Sequence, residues 1–153
     1  MPRILTIIGV IVLTALPGCR SDRERDGAAQ LPPMADSGIT TLQKTDVTPG
    51  SGPEVRPGMT VRVHYSGWLY DPAAADRKGK KFDSSREGGQ PFEFQLGKGE
   101  VIAGWDEGIA GMKVGGTRML TIPPAMAYGP NTVGNLIPPN ATLFFEVELL
   151  GVR

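Results

Sequence analysis

Thr142-Leu143-Phe144-Phe145-Glu146-Val147-Glu148-Leu149 decides the fold class of this chain. Leu143, Phe145, Val147 and Leu149 alternate with Thr142, Glu146 and Glu148, the period of a strand with one face in a core and one in water. Working outward, Val61, Val63 and Tyr65 alternate in the same way with Thr60, Arg62 and His64. Leu120 and Ile122 mark a third strand, opened by Gly115-Gly116, and shorter strands are expected over Leu42–Thr48 and Pro91–Leu96. One segment changes period. Ala103–Met112 places Trp105, Ile109 and Met112 at i, i+4 and i+7, one face of a helix. Asp106 and Glu107 stand near its start, where the helix dipole favours negative charge. A sheet packed against one short helix is an α+β arrangement.

Composition narrows the function. The 16 Lys and Arg balance 16 Asp and Glu without long runs of one sign. A nucleic-acid-binding surface would need a basic stripe, so no nucleic-acid partner is expected. The 21 glycines and 14 prolines favour short strands and turns. Cys19 is the single cysteine and His64 the single histidine, which excludes an internal disulfide and a Cys/His zinc site. Ser84 and Ser85 are adjacent, but no Gly-x-Ser-x-Gly elbow accompanies them. Gly97-Lys98-Gly99 is too short for a phosphate loop.

What remains is apolar and aromatic. Phe82-Asp83-Ser84-Ser85, Val101-Ile102-Ala103-Gly104-Trp105, Ala127-Tyr128-Gly129 and Ile137-Pro138-Pro139 follow one another in the second half of the chain. They supply bulky walls and a few polar groups for a small hydrophobic pocket, without a nucleophile or metal cluster. With Val63-His64-Tyr65-Ser66-Gly67 and Ala141–Leu150, these runs match in order and spacing the FKBP-type peptidyl-prolyl cis-trans isomerases. The stretch from about Gln43 to Val152 closely resembles that family. The resemblance implies an antiparallel sheet of about five strands wrapped around one short helix, X-Pro-containing polypeptides as substrates, and FK506 and rapamycin as ligands of the same pocket. No cofactor is expected.

Site residues follow from the same resemblance. It implies that Trp105 forms the pocket floor, and that Tyr65, Phe92 and Phe145 form aromatic walls. Phe82, Val101 and Ile102 supply further apolar sides, and the Ile102 main-chain N–H meets a substrate carbonyl. Tyr128 offers a hydroxyl from a flap, with Leu136 and Ile137 closing the rim. Ordinary core packing is the other reading of Trp105, Phe92 and Phe145, since aromatics in small domains are commonly buried. Asp83 is expected to support the site. Amide rotation needs no proton transfer, and glycine stands in Arg86-Glu87-Gly88-Gly89-Gln90 where well-known members carry a basic residue. Its partner is left open between Arg86 and Tyr65. His64 alternates to the opposite face and is expected to be structural. Asn131, Thr132 and Val133 form the flap tip.

The chain departs from a compact family domain at both ends of its first half. Residues 1–18 read as a leader: Arg3, then a mostly apolar run from Ile4 to Leu16, shorter than the ~20 residues of a membrane-spanning helix. Leu16-Pro17-Gly18-Cys19 resembles a bacterial lipoprotein signal, which implies a lipid on Cys19 and attachment to the membrane, facing the periplasm. Pro17 departs from the small residue usual there. A plain secretory signal or an uncleaved anchor is the competing reading. Arg20, instead of aspartate, points to the outer membrane over the inner. Residues 19–36 hold almost no large apolar side chains and read as a flexible tether, and residues 37–153 as the isomerase domain. Tyr70–Lys80 is longer than in compact relatives and is expected to be a surface loop, with one helical turn over Ala73–Lys78. Alternatives to catalysis are a module that only binds proline segments, or an envelope scaffold.

Overall fold

The computed structural model describes residues 37–153. The leader, Cys19 and the tether lie outside the described residues. Six strands and one helix follow in order: β1 (Gln43–Thr48), β2 (Thr60–Tyr70), β3 (Lys78–Ser84), β4 (Phe92–Gln95), α1 (Ala103–Gly108), β5 (Thr117–Ile122) and β6 (Leu143–Val152). They form a single antiparallel sheet in the order β1-β5-β6-β2-β3, with β4 also paired to β2. The 11-residue β2 explains how six strands give a sheet five strands wide. Its Thr60–Val63 half pairs with β4 and its Ser66–Tyr70 half with β3, while β6 runs along its other edge.

The alternating residues point where their period places them. Val61, Val63, Tyr65, Leu120, Ile122, Leu143, Phe145, Val147 and Leu149 are all buried in one core. The helix supplies the opposite layer, with Trp105, Ile109 and Met112 also buried. It is shorter than the expected Ala103–Met112, ending at Gly108. Gly111 follows at φ +81°, a left-handed conformation that stops a helix. Arg118 of β5 then takes over the last carbonyls, donating from Nη1 to Gly108 O at 2.9 Å and Ala110 O at 3.1 Å. A cation there also complements the negative end of the helix dipole.

Two expectations on the other side of the sheet are corrected. Lys78–Lys80, expected in the surface loop, belong to β3, a strand that apolar alternation does not reveal. The loop proper is shorter, and it carries hydrogen-bonded turns instead of a helical one: Ala74 N–H to Asp71 O, Arg77 N–H to Ala74 O and Asp71 N–H to Arg77 O. Asp71 and Asp76 carboxylates accept from Ala73 and Lys78 N–H, stabilising the turns locally.

Arg118 is itself held by Asp46 of β1, with Nε at 2.6 Å and Nη2 at 3.3 Å from its two carboxylate oxygens. That hydrogen bond is the main reason the Asp46 carboxyl lies below its ordinary value of 3.8. A carboxyl lowered on folding stabilises the protein above its unfolded-state value and loses that contribution as the pH falls through its folded-state value. With the Asp46 side chain 56% exposed, the contribution stays below about 1 kcal/mol. Asp46→Asn is expected to lose less urea resistance than the parent between about pH 5 and pH 3. Parallel losses in the two proteins would refute the linkage.

Candidate active site

The site grows from the turn that delivers the helix. Between β4 and α1 the chain makes two left-handed steps, at Gly97 (φ +77°) and Gly99 (φ +69°). Two carboxylates fix them. Asp106 accepts from Gly97 N–H at 2.9 Å and Gly99 N–H at 3.2 Å, and Glu100 accepts from Gln95 N–H at 2.8 Å. The acid expected to favour the helix dipole thus pins the preceding loop. Val101 is consequently buried, and Ile102 is half-buried against the core. The Ile102 carbonyl accepts from Trp105 N–H and Asp106 N–H. Its own N–H has no hydrogen-bond partner among the described residues.

Trp105 lies at the centre. Its ring is 5.0 Å from Tyr65, 5.3 Å from Phe145 and 6.2 Å from Phe92, each in an edge-to-face arrangement, and 5.7 Å from Phe94. Such geometries place the positive edge of one ring against the negative face of another. Phe82 extends the cluster through Phe145 at 5.5 Å. Ile137 is buried beside these residues, and Leu136, Tyr128 and Val133 pack against them half-buried. Phe94 was not among the expected site residues. Its signal was present in the strand Phe92-Glu93-Phe94, where i, i+2 spacing puts both rings on one face, stacked 5.5 Å apart. Trp105 Nε1 is buried without a hydrogen-bond partner among the described residues.

Phe82 and Asp83 are neighbours on β3, yet both reach the same side. Strict alternation would turn one of them away. A register shift between Gly67 and Trp68 of β2 resolves this: Gly67 pairs with Asp83 but Trp68 with Lys81. The extra residue bends the strand and re-aims its side chains. Asp83 Oδ2 thereby accepts the Tyr65 hydroxyl at 2.6 Å, while Oδ1 accepts Ser84 N–H at 2.8 Å. Tyr65 is therefore the partner, and Arg86 is not. The Arg86 guanidinium lies 2.7 Å from Glu148 and 4.0 Å from Glu146.

Tyr128 follows a single 3₁₀ turn at Pro124–Met126. Gly129 N–H donates to Pro124 O, and Asn140 N–H to Gly129 O, so the flap is tied at its base. Val133 and Ile137 bond each other across the tip. Burial first, and then the Asp83 charge, push the Tyr128 hydroxyl up to about 12. It remains protonated, a hydrogen-bond donor, at any physiological pH. His64 plays the expected structural part, with Nδ1 3.0 Å from Ser85 Oγ, which also accepts Tyr65 N–H at 2.9 Å.

Of the ten expected site residues, Tyr65, Phe92 and Phe145 pack around Trp105, Phe82 joins through Phe145 and Asp83 through Tyr65, and Val101, Ile102, Tyr128 and Ile137 pack in or against the same core cluster. Comparison with known proteins identifies the family. The family pattern for FKBP-type peptidyl-prolyl cis-trans isomerase matches residues 52–150. The chain is 52% identical over 107 residues to an FK506-binding protein of Neisseria meningitidis serogroup B, spanning 70% of this chain and 92% of that one. Over 109 residues it is 52% identical to FK506-binding protein 1 of Dictyostelium discoideum, covering 71% and 95% of the two chains. The crystal structure of AtFKBP13 superimposes with a TM-score of 0.65 at 41% identity, covering 73% of this chain and 93% of that one. FkpA from Escherichia coli gives 0.64 at 43% identity, covering 74% and 49%. The chain belongs to the FKBP-type family, and its activity is the cis-trans isomerisation of peptidyl-prolyl bonds.

Gly67 tests how tightly this site is assembled. A Cβ there would stand 2.6 Å from Phe145 Cε1 and 2.7 Å from Phe82 Cζ, both in buried rings. Gly67→Ala is expected to lower stability by about 1–3 kcal/mol in urea denaturation, because the rings must leave their packing. Unchanged stability would show that Phe82 and Phe145 have room to move.

Proposed function

We propose that this protein accelerates X-Pro rotation by desolvating and twisting the prolyl amide against Trp105, without acid, base or covalent chemistry. The amide barrier of about 18–20 kcal/mol comes from partial double-bond character in the C–N bond. The planar amide is dipolar and stabilised by water, whereas the twisted transition state carries less charge on oxygen. Apolar surroundings that exclude water therefore favour the twisted form over the planar one. The observation that carries this reading is the aromatic cluster centred on Trp105, with a neutral Tyr128 hydroxyl and the Ile102 N–H at its edge.

The roles divide accordingly. Trp105 forms the floor beneath the proline ring. Tyr65, Phe82, Phe92, Val101, Ile137 and Phe145 form the apolar walls, and Asp83 orients Tyr65 through their 2.6 Å hydrogen bond. Ile102 N–H and the Tyr128 hydroxyl hold substrate carbonyls. FK506 occupies the same pocket, a reading supported by relatives named for binding it, and rapamycin is its companion. In an assay of Leu-Pro peptide isomerisation by the full chain in detergent, FK506 is expected to abolish the acceleration. Tyr128→Phe is expected to lower kcat/KM about tenfold, the equivalent of one hydrogen bond. Peptide binding without acceleration would make the domain a recognition module.

The cellular setting rests on residues 1–36. Cleavage before Cys19 and its acylation would leave residues 19–36 as a tether and 37–153 as an isomerase facing the periplasm, acting on exported polypeptides. The outer membrane is the proposed site of attachment, on the strength of Arg20. Cys19→Ala is expected to abolish lipid labelling and to release the protein from membranes. Continued membrane association would identify an uncleaved anchor instead.

A further inference from the structure

The two edges of the sheet would meet a second copy of the chain differently. At one edge, β3 opens with Lys78-Gly79-Lys80-Lys81, and a copy laid beside it would bring like charges together. At the other lies β1, which pairs with β5 and with no other strand among the described residues. All six of its residues are exposed, and Val47, at 55%, is the most exposed large hydrophobic side chain described. β1 holds one cation and one anion, Lys44 and Asp46, two residues apart and therefore on one face. Asp46 binds Arg118 through both oxygens. Its side chain nevertheless remains 56% exposed and presents further lone pairs to a second cation.

We infer that β1 is a self-association edge: two copies of this chain join antiparallel, β1 to β1, about a two-fold axis at Thr45. The register follows from symmetry and charge. Hydrogen-bonded and non-bonded pairs alternate along an antiparallel ladder, and a two-fold axis has to map each pair onto one of its own kind. Only a residue opposite its own copy satisfies that. Centred on Lys44 or on Asp46, the pairing sets that charge against itself. Centred on Gln43, Val47 or Thr48, at least half of the strand faces residues outside it. Centred on Thr45, Lys44 of each copy faces Asp46 of the other, and Gln43 faces Val47 and covers it. Opposite charges directly across a ladder attract, and like charges there destabilise the pairing. The interface is isologous and closes at two copies, because the outer edges of the joined sheet are then the cationic β3 strands. None of the pocket residues lies on β1, so the dimer carries two independent sites.

The test places a cysteine on the axis. In the full chain carrying Cys19→Ala, in a non-ionic detergent, Thr45→Cys brings the two substituted Cα atoms to about 4.5–5.5 Å, within disulfide reach. Mild oxidation with copper phenanthroline is expected to give a covalent dimer. Gln43→Cys in the same background holds its two copies on the order of 13 Å apart, and is expected to cross-link about tenfold more slowly or less. Without oxidant, sedimentation equilibrium of the Cys19→Ala chain at high micromolar concentration is expected to show a reversible monomer–dimer equilibrium. Lys44→Glu turns both attractive pairs into repulsive ones and is expected to raise the dissociation constant about tenfold at low salt. Leu-Pro isomerisation per chain is expected to stay unchanged in each variant, which shows that the fold is intact. A chain that stays monomeric, equal cross-linking from positions 43 and 45, or a dimer indifferent to Lys44→Glu overturns the inference.

Discussion

The close approach of the helix to β5 governs the rest of the structure. A Cβ on Gly104 would stand 2.4 Å from Ile122 Cγ2, and one on Gly108 would stand 2.8 Å from Leu120 Cδ2. These two glycines lie one helical turn apart on the same face, and their lack of side chains lets α1 settle directly on the strand. Space is the reason for glycine here, since neither position has a left-handed backbone. With the helix lowered, Trp105 falls into the middle of the aromatic cluster instead of standing above it. Arg118, from the same strand, then secures the far end of the helix through the Gly108 and Ala110 carbonyls.

The site is correspondingly a product of the core. Tyr65 and Phe145 come from the two central strands, Phe82 and Phe92 from the two short strands that share an edge of β2, and Trp105 from the helix. No loop has to be ordered to form the aromatic floor. Loops contribute the polar groups at its margin, Ile102 through the turn held by Asp106 and Tyr128 through the flap tied at Gly129. The two tyrosines have different tasks. Tyr65 spends its hydroxyl on Asp83, whereas burial keeps the Tyr128 proton in place.

Much of this was legible in the residues, and the gaps have physical causes. β2, β5 and β6 announced themselves because their large apolar side chains recur at every second residue on the core face, although parts of the other face are buried too. β3 did not. It begins Lys78-Gly79-Lys80-Lys81, cations on an edge strand that discourage pairing with other chains, and only its long-range pairing to β2 makes it a strand. The helical period correctly placed Trp105, Ile109 and Met112 inside, but not the end of the helix, because the residue that caps it comes from another element. At the site, the family resemblance carried by the order and spacing of the motifs named residues that the structure brings into one core cluster. It left open the partner of Asp83, which depends on a bulge that no local pattern encodes. Phe94 was missed for a different reason: the resemblance named only Phe92 on this strand, although the strand period continued through Phe94.

The order of the strands carries a consequence for how the molecule comes into being. β6 is the last element among the described residues, yet it lies in the interior of the sheet, between β5 and β2. Until Leu143–Val152 is available, β1 and β5 have no bridge to β2, β3 and β4, and Tyr65 and Phe145 cannot both flank Trp105. Partial sheets of two or three short strands are marginal by themselves. Assembly is therefore all-or-none and waits for the C-terminal segment. Contacts so distant in sequence also make it a slow folder for its size. An isomerase built this way carries prolines of its own, and it acquires its activity only when β6 is inserted between β5 and β2.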